Sequence, residues 1–72
     1  MEQYFIKVGE LYIANYPTVS ENNGTTVIQY IELINDKTNA RLFRDMDYAK
    51  SIAGLLNGIT YKKIVTVDEE PV

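Results

Sequence analysis

The chain has 72 residues, with seven Lys and Arg against ten Asp and Glu, and it contains no Cys, His or Trp. A chain this short buries only about 60% of the surface its unfolded form exposes, so it makes one small domain with little room for an enclosed active site. The missing residue types exclude a disulfide framework, zinc sites built on Cys or His, and Ser-His or Cys-His nucleophiles within one chain.

The N-terminal segments Tyr4-Phe5-Ile6-Lys7-Val8 and Leu11-Tyr12-Ile13-Ala14-Asn15-Tyr16 flank a two-residue Gly9-Glu10 connection. This predicts a tight hairpin with Gly9 at the first central position of a type II′ turn. Val8 then pairs with Leu11, Ile6 with Ile13 and Tyr4 with Asn15. Tyr4, Ile6, Val8, Leu11 and Ile13 share a core face, and Phe5, Lys7, Tyr12, Ala14 and Tyr16 share the other. Pro17 ends the hairpin, because it cannot donate to a ladder. Ser20-Glu21-Asn22-Asn23-Gly24 reads as a loop. Residues 25–34 read as one long strand, apolar on both faces apart from Gln29 and Glu32, which suits a central strand or one covered by a partner.

Asn35-Asp36-Lys37-Thr38-Asn39 predicts a hairpin loop around a type I turn with Asn39 left-handed, after which Ala40-Arg41-Leu42-Phe43 returns as a short strand with Leu42 on one face and Arg41 and Phe43 on the other. A helix starts at Asp45, which caps the first turn while Asp47 adds charge at the positive end of the dipole. Its apolar stripe is Ala49, Ile52, Ala53 and Leu56, and Asn57-Gly58 stops it with one of the two in the left-handed conformation. Residues 59–67 close the fold as a last strand, and Asp68-Glu69-Glu70-Pro71-Val72 reads as a mobile acidic tail. The expectation is a single α+β domain over 1–67 with an antiparallel sheet of about five strands, in the sequence order β-β-β-β-α-β, and one helix on one face.

Charge is unevenly spread. Residues 1–36 hold five acids and one Lys, 37–63 hold six basic residues and two acids, and 64–72 hold three acids. The middle block offers a basic patch of Arg41, Arg44, Lys50, Lys62 and Lys63. With tyrosine stacking it would make a nucleic-acid-binding module, for which Arg41, Arg44, Lys62 and Lys63 are the candidates. The leading expectation is different. One helix covers one sheet face, and the other face, rich in aromatic residues, has no element left to cover it. Phe5, Tyr12, Tyr16, Tyr30 and Tyr61 are therefore the candidate residues for binding a partner protein, and a homodimer is expected.

No catalytic, cofactor-binding or metal-binding residue is expected. Asp45 and Asp47 suit capping rather than acid–base work. Glu32, inside an apolar strand, is expected to face water, the alternative being a buried carboxylate paired with Arg41. The four glycines match no phosphate-binding pattern. The start Met1-Glu2-Gln3 is unlike a signal peptide, and no window approaches the roughly 20 apolar residues of a membrane span, so a cytoplasmic chain is expected.

The stretch Leu42-Phe43-Arg44-Asp45-Met46-Asp47-Tyr48-Ala49-Lys50-Ser51-Ile52-Ala53-Gly54-Leu55-Leu56-Asn57-Gly58 resembles the strand, Phe-x-Asp, helix, Asn-Gly, strand ending of small uncharacterised proteins of phages and prophages of Gram-positive bacteria. That resemblance implies a phage-type accessory protein acting in the host cytoplasm, in a class where non-enzymatic inhibitors of host defence are common. It carries over no functional residue.

Overall fold

The computed structural model describes residues 2–63 and 69–72. In chain order these form β1 (Tyr4–Val8), β2 (Leu11–Ile13), β3 (Thr18–Asn22), β4 (Thr25–Tyr30), β5 (Leu33–Ile34), a 3-10 turn (Lys37–Asn39), α1 (Met46–Leu56), β6 (Ile59–Lys63) and β7 (Glu69–Pro71). The fold is α+β. A five-stranded antiparallel sheet runs in the order β5-β2-β1-β6-β7, α1 packs against β1 and β6, and β3 and β4 form a separate two-stranded hairpin.

The Gly9-Glu10 turn forms as the residue types dictate. Gly9 has φ +61°, Val8 faces Leu11 and Lys7 faces Tyr12. The strand after it is shorter than predicted, however, because the position opposite Tyr4 goes to Phe43 instead of Asn15. Tyr4 N–H donates to Phe43 O at 2.8 Å, and Phe43 N–H donates to Tyr4 O at 2.7 Å. This crossing reverses the predicted facing of the 40–43 segment. Phe43 is 1% exposed and belongs to the core with Tyr4, Ile6, Ile13, Ala49, Ile52 and Ala53, while Leu42 is only half-buried. Leu11, expected inside, sits beside the turn and is exposed.

The helix follows its sequence signals closely. Asp45 accepts from the amides of Asp47 and Tyr48 at 2.9 and 3.2 Å, which satisfies two first-turn donors. Asn57 ends the helix in the left-handed conformation at φ 55°. Ala49, Ile52 and Ala53 are buried and Leu56 packs at the edge of the core. Gly58 then lies against β1, where a Cβ would stand 2.8 Å from the Lys7 carbonyl oxygen.

Four further expectations are corrected. The loop around Asn23-Gly24 is a two-residue type I′ turn with positive φ at both residues, and Ser20, Glu21 and Asn22 belong to β3. Residues 25–34 are two strands. At the break, Glu32 N–H donates to Asn15 Oδ1 at 2.8 Å and Glu32 O accepts from Ala14 N–H, which brings only Leu33–Ile34 into the main sheet beside β2. Asn39 is not left-handed. It closes a 3-10 turn whose start is capped by the Asp36 carboxylate, and the chain from Ala40 does not return along β4. At the far end Glu69–Pro71 runs as β7 beside β6 where a patternless tail was predicted. The predicted strand residues 64–67 and Asp68 lie outside the described residues.

Candidate interaction surfaces

The five aromatic candidates do not assemble into one docking face. Phe5, Tyr12 and Tyr61 share the sheet face opposite the helix, because Phe5 pairs with Tyr61 and Lys7 pairs with Tyr12. Phe5 stacks on Tyr61 at 5.5 Å between centroids and meets Tyr12 at 5.9 Å. Two of the three are enclosed, Phe5 at 4% and Tyr12 at 8% exposure. Two long basic side chains reach these rings. Lys37 Nζ lies 5.8 Å from the Phe5 ring centre and Lys7 Nζ lies 5.5 Å from that of Tyr12. A lysine held over an aromatic ring adds a cation–π attraction, and its stem can remove apolar area from water.

Tyr16 and Tyr30 lie elsewhere. Tyr16 stands edge-on to Phe43 at 5.1 Å, its hydroxyl donates to Leu42 O at 3.2 Å, and the Arg41 guanidinium stacks on its ring at 4.1 Å. Tyr30 is 55% exposed at the root of the β3-β4 hairpin, and its hydroxyl donates to the Glu32 carboxylate at 3.0 Å. That hydrogen bond raises the Tyr30 phenol above its ordinary value. Glu32 faces water as expected, with no contact to Arg41 among its hydrogen bonds.

The basic candidates are likewise divided. Arg41 is committed to Tyr16. Lys62 pairs with Glu2 at 3.3 Å, and as a strand neighbour of Lys63 it points to the opposite sheet face. Arg44 lies just before the helix cap, and Lys50 lies on α1. Lys50 borders a shallow hollow of about 380 Å³ together with Ala53, Gly54, Gly58, Ile59, Thr60 and Val72. Thr60 is 3% exposed, and among the described residues its enclosed hydroxyl has no hydrogen-bond partner. Among the described residues that line the hollow, no side chain carries a carboxylate. Among the described residues no three Asp or Glu stand close enough to hold a metal ion, and no helix is long and apolar enough to cross a membrane.

At the sheet margin Glu2 joins two elements. Its carboxylate accepts from the Tyr4 hydroxyl at 2.6 Å and pairs with Lys62. The Tyr4 bond first, and Lys62 second, hold this carboxyl below its ordinary 4.5, while Glu2 raises the Tyr4 phenol above 10.0. A carboxyl lowered in the folded state stabilises the fold above 4.5, and that contribution is lost as pH falls through the folded value. A phenol raised in the folded state stabilises it below 10.0, and that contribution is lost as pH climbs through the folded value. Glu2→Gln is therefore expected to flatten both limbs of the stability profile, read by urea unfolding across pH. An acid limb as steep as that of the wild type would show that this contact contributes nothing.

The β3-β4 hairpin is the exposed feature that sequence reading missed. It spans 13 residues, and apart from Ile28, which packs at the core margin, its apolar side chains lie open, with Val27 at 44% exposure and Val19 and Tyr30 also exposed. Among the described residues no other strand pairs with either of its edges. The Asn23-Gly24 dipeptide was the available signal, since Asn-Gly is the preferred filling of a type I′ hairpin turn. Comparison with protein-family models, with curated proteins and with solved structures found no match to this chain.

Proposed function

We propose that this chain is a non-enzymatic interaction protein that engages another polypeptide through the β3-β4 arm by strand addition. The observation that carries this reading is the arm itself, a hairpin with open apolar side chains whose backbone edges no other strand among the described residues pairs with. A two-stranded hairpin alone is marginal in water, and an unpaired edge is a template for another strand. In strand addition the main chain supplies affinity and alternate side chains supply specificity, a division of labour that asks for no catalytic group. The resemblance of residues 42–58 to phage and prophage accessory proteins fits such a role and would place the partner in a bacterial host.

The test is capture from a bacterial lysate by the immobilised chain, compared with a Val27→Lys variant whose fold is checked by circular dichroism. Val27 lies in the middle of β4 and away from the core, so the variant is expected to keep the fold and lose the captured protein at least tenfold. Equal capture by both would overturn this reading.

A further inference from the structure

Of the six asparagines in the chain, Asn23 and Asn57 precede a glycine. Asparagine is a thermolabile residue, and before glycine the next main-chain nitrogen carries no neighbouring side chain to obstruct its approach to the carboxamide carbon. The fold holds the two dipeptides differently. At the helix end Gly58 N–H donates to Ala53 O at 2.8 Å, and Gly58 is pressed against β1, where a Cβ would stand 2.8 Å from the Lys7 carbonyl oxygen. Asn57 is the left-handed cap, and its own N–H also donates to Ala53 O. Bringing the Gly58 nitrogen onto the Asn57 carboxamide therefore breaks the helix cap and lifts the start of β6 from β1. Nothing comparable holds the tip of the arm. Asn23 and Gly24 are both exposed, and a Cβ on Gly24 would meet nothing within 4 Å. Among the described residues neither the Gly24 N–H nor the Asn23 carboxamide has a hydrogen-bond partner. The turn is closed by the Asn22–Thr25 pair, and the arm meets the core at Ile28, so opening its tip disturbs no packing.

We propose that Asn23 is a site of spontaneous modification, where attack by the Gly24 nitrogen converts the asparagine to aspartate and isoaspartate, while the same dipeptide at Asn57 is shielded by the fold. The Gly24 nitrogen gives up its proton and bonds to Asn23 Cγ. The Cγ–Nδ2 bond breaks, and Nδ2 takes up a proton and leaves as ammonia, closing a succinimide ring. Water, the one co-reactant, then adds to either ring carbonyl. Addition at Cγ breaks its bond to the Gly24 nitrogen and leaves aspartate in an unaltered main chain. Addition at the main-chain carbon breaks the original peptide bond and leaves isoaspartate, with the chain now running through Cβ and Cγ. Both products place a carboxylate at the tip, close in sequence to Glu21. Isoaspartate also adds a methylene to the main chain of a turn that accommodates two ordinary residues, so the Asn22–Thr25 pair loses its fit and the ladder its anchor. The modification site stands on the geometry of the turn alone. Its consequence for docking, that an aged arm no longer receives a strand, rests on the reading of the arm given above.

Trypsin separates the two dipeptides, since Asn23 falls in the peptide 8–37 and Asn57 in the peptide 51–62. The purified full chain is held in warm, mildly alkaline buffer and sampled by peptide mass, with electron-transfer fragmentation to place each product and to tell isoaspartate from aspartate. In the folded chain Asn23 is expected to convert at least tenfold faster than Asn57, and in guanidinium the two rates are expected to come within about threefold of each other. Equal rates in the folded chain, or an Asn57 rate above that of Asn23, would overturn the proposal. Asn23→Gly gives a Gly-Gly pair, which also fills a type I′ turn. Aged in parallel, this variant should keep the lysate capture that the aged wild type loses. Full capture by wild-type chain already converted at Asn23 would overturn the link to docking and leave the modification site standing. A fresh chain that captures nothing removes the docking reading, and the peptide masses alone then decide the site.

Discussion

Replacing Phe43 by alanine is expected to cost about 3–5 kcal/mol, read as a fall in the urea midpoint of unfolding. A 72-residue domain has only about 4–11 kcal/mol in total, so the variant will be at or near the edge of folding. The size of the effect follows from what the ring joins. Phe43 is among the largest fully buried side chains, meets Tyr16 edge-on and Tyr48 at 6.0 Å, and rides on the segment whose backbone is bonded both ways to Tyr4. Removing the ring empties a site bounded by a sheet strand and the first turns of α1, two elements that the backbone holds in place and that cannot collapse fully onto the void. Phe43→Leu keeps more of the volume and is expected to lose less. A cost below about 1 kcal/mol for alanine would mean that the 40–43 segment moves with the substitution.

The second large effect comes from adding an atom. Gly58→Ala would put a Cβ 2.8 Å from the Lys7 carbonyl oxygen, 3.1 Å from Val8 Cγ2 and 3.3 Å from Ile6 Cγ2. The nearest of these is backbone in the central strand, so either β6 or β1 has to shift. Overpacking of this kind costs about 1–3 kcal/mol, and for a domain of this size the melting temperature should fall by on the order of 10 °C. Gly54 supplies the control on the same stretch of chain. It lies within α1, a Cβ there meets nothing within 4 Å, and Gly54→Ala should raise stability by about 0.5–1 kcal/mol through the conformational entropy of glycine. The two glycine-to-alanine changes are thus expected to move the melting temperature in opposite directions. Movement in the same direction would show that Gly58 does not set the approach of β6 to β1.

What could be read from the residues depended on whether the signal was local. The Gly9 turn, the Asp45 cap, the Ala49-Ile52-Ala53 stripe and the Asn57 stop are each written in a few adjacent residues, and each appears where those residues place it. Strand β3 escaped detection because Ser20, Glu21 and Asn22 lack the apolar alternation of a half-buried strand, and in a hairpin that meets the core only at Ile28 that alternation has little cause to exist. The division of 25–34 depends on Asn15, 17 residues earlier, whose side-chain oxygen binds the Glu32 amide. The expectation of an uncovered aromatic face failed at Phe5 and Tyr12 for a different reason. Counting helices leaves out side chains such as Lys7 and Lys37, whose ammonium groups reach the Tyr12 and Phe5 rings although their charge marks them as surface residues. The docking candidate therefore moved from that sheet face to the arm.

The placement of β6 beside β1 governs when this protein can fold. Lys7 pairs with Ile59 and Tyr4 with Lys62, so the central ladder joins residues 52 or more positions apart. Closing a loop of that size costs about 3.5 kcal/mol in chain entropy beyond a constant term before any pairing repays it. The β1-β2 turn and the helix can form early from neighbouring residues, and the core they share is complete by Ala53, but the second edge of β1 stays open until β6 arrives. During translation the first strands thus wait, unpaired on one side, while most of the remaining chain is made. Refolding should be slow compared with a helical chain of equal length, and the interval before β6 docks is when the molecule is most exposed to aggregation.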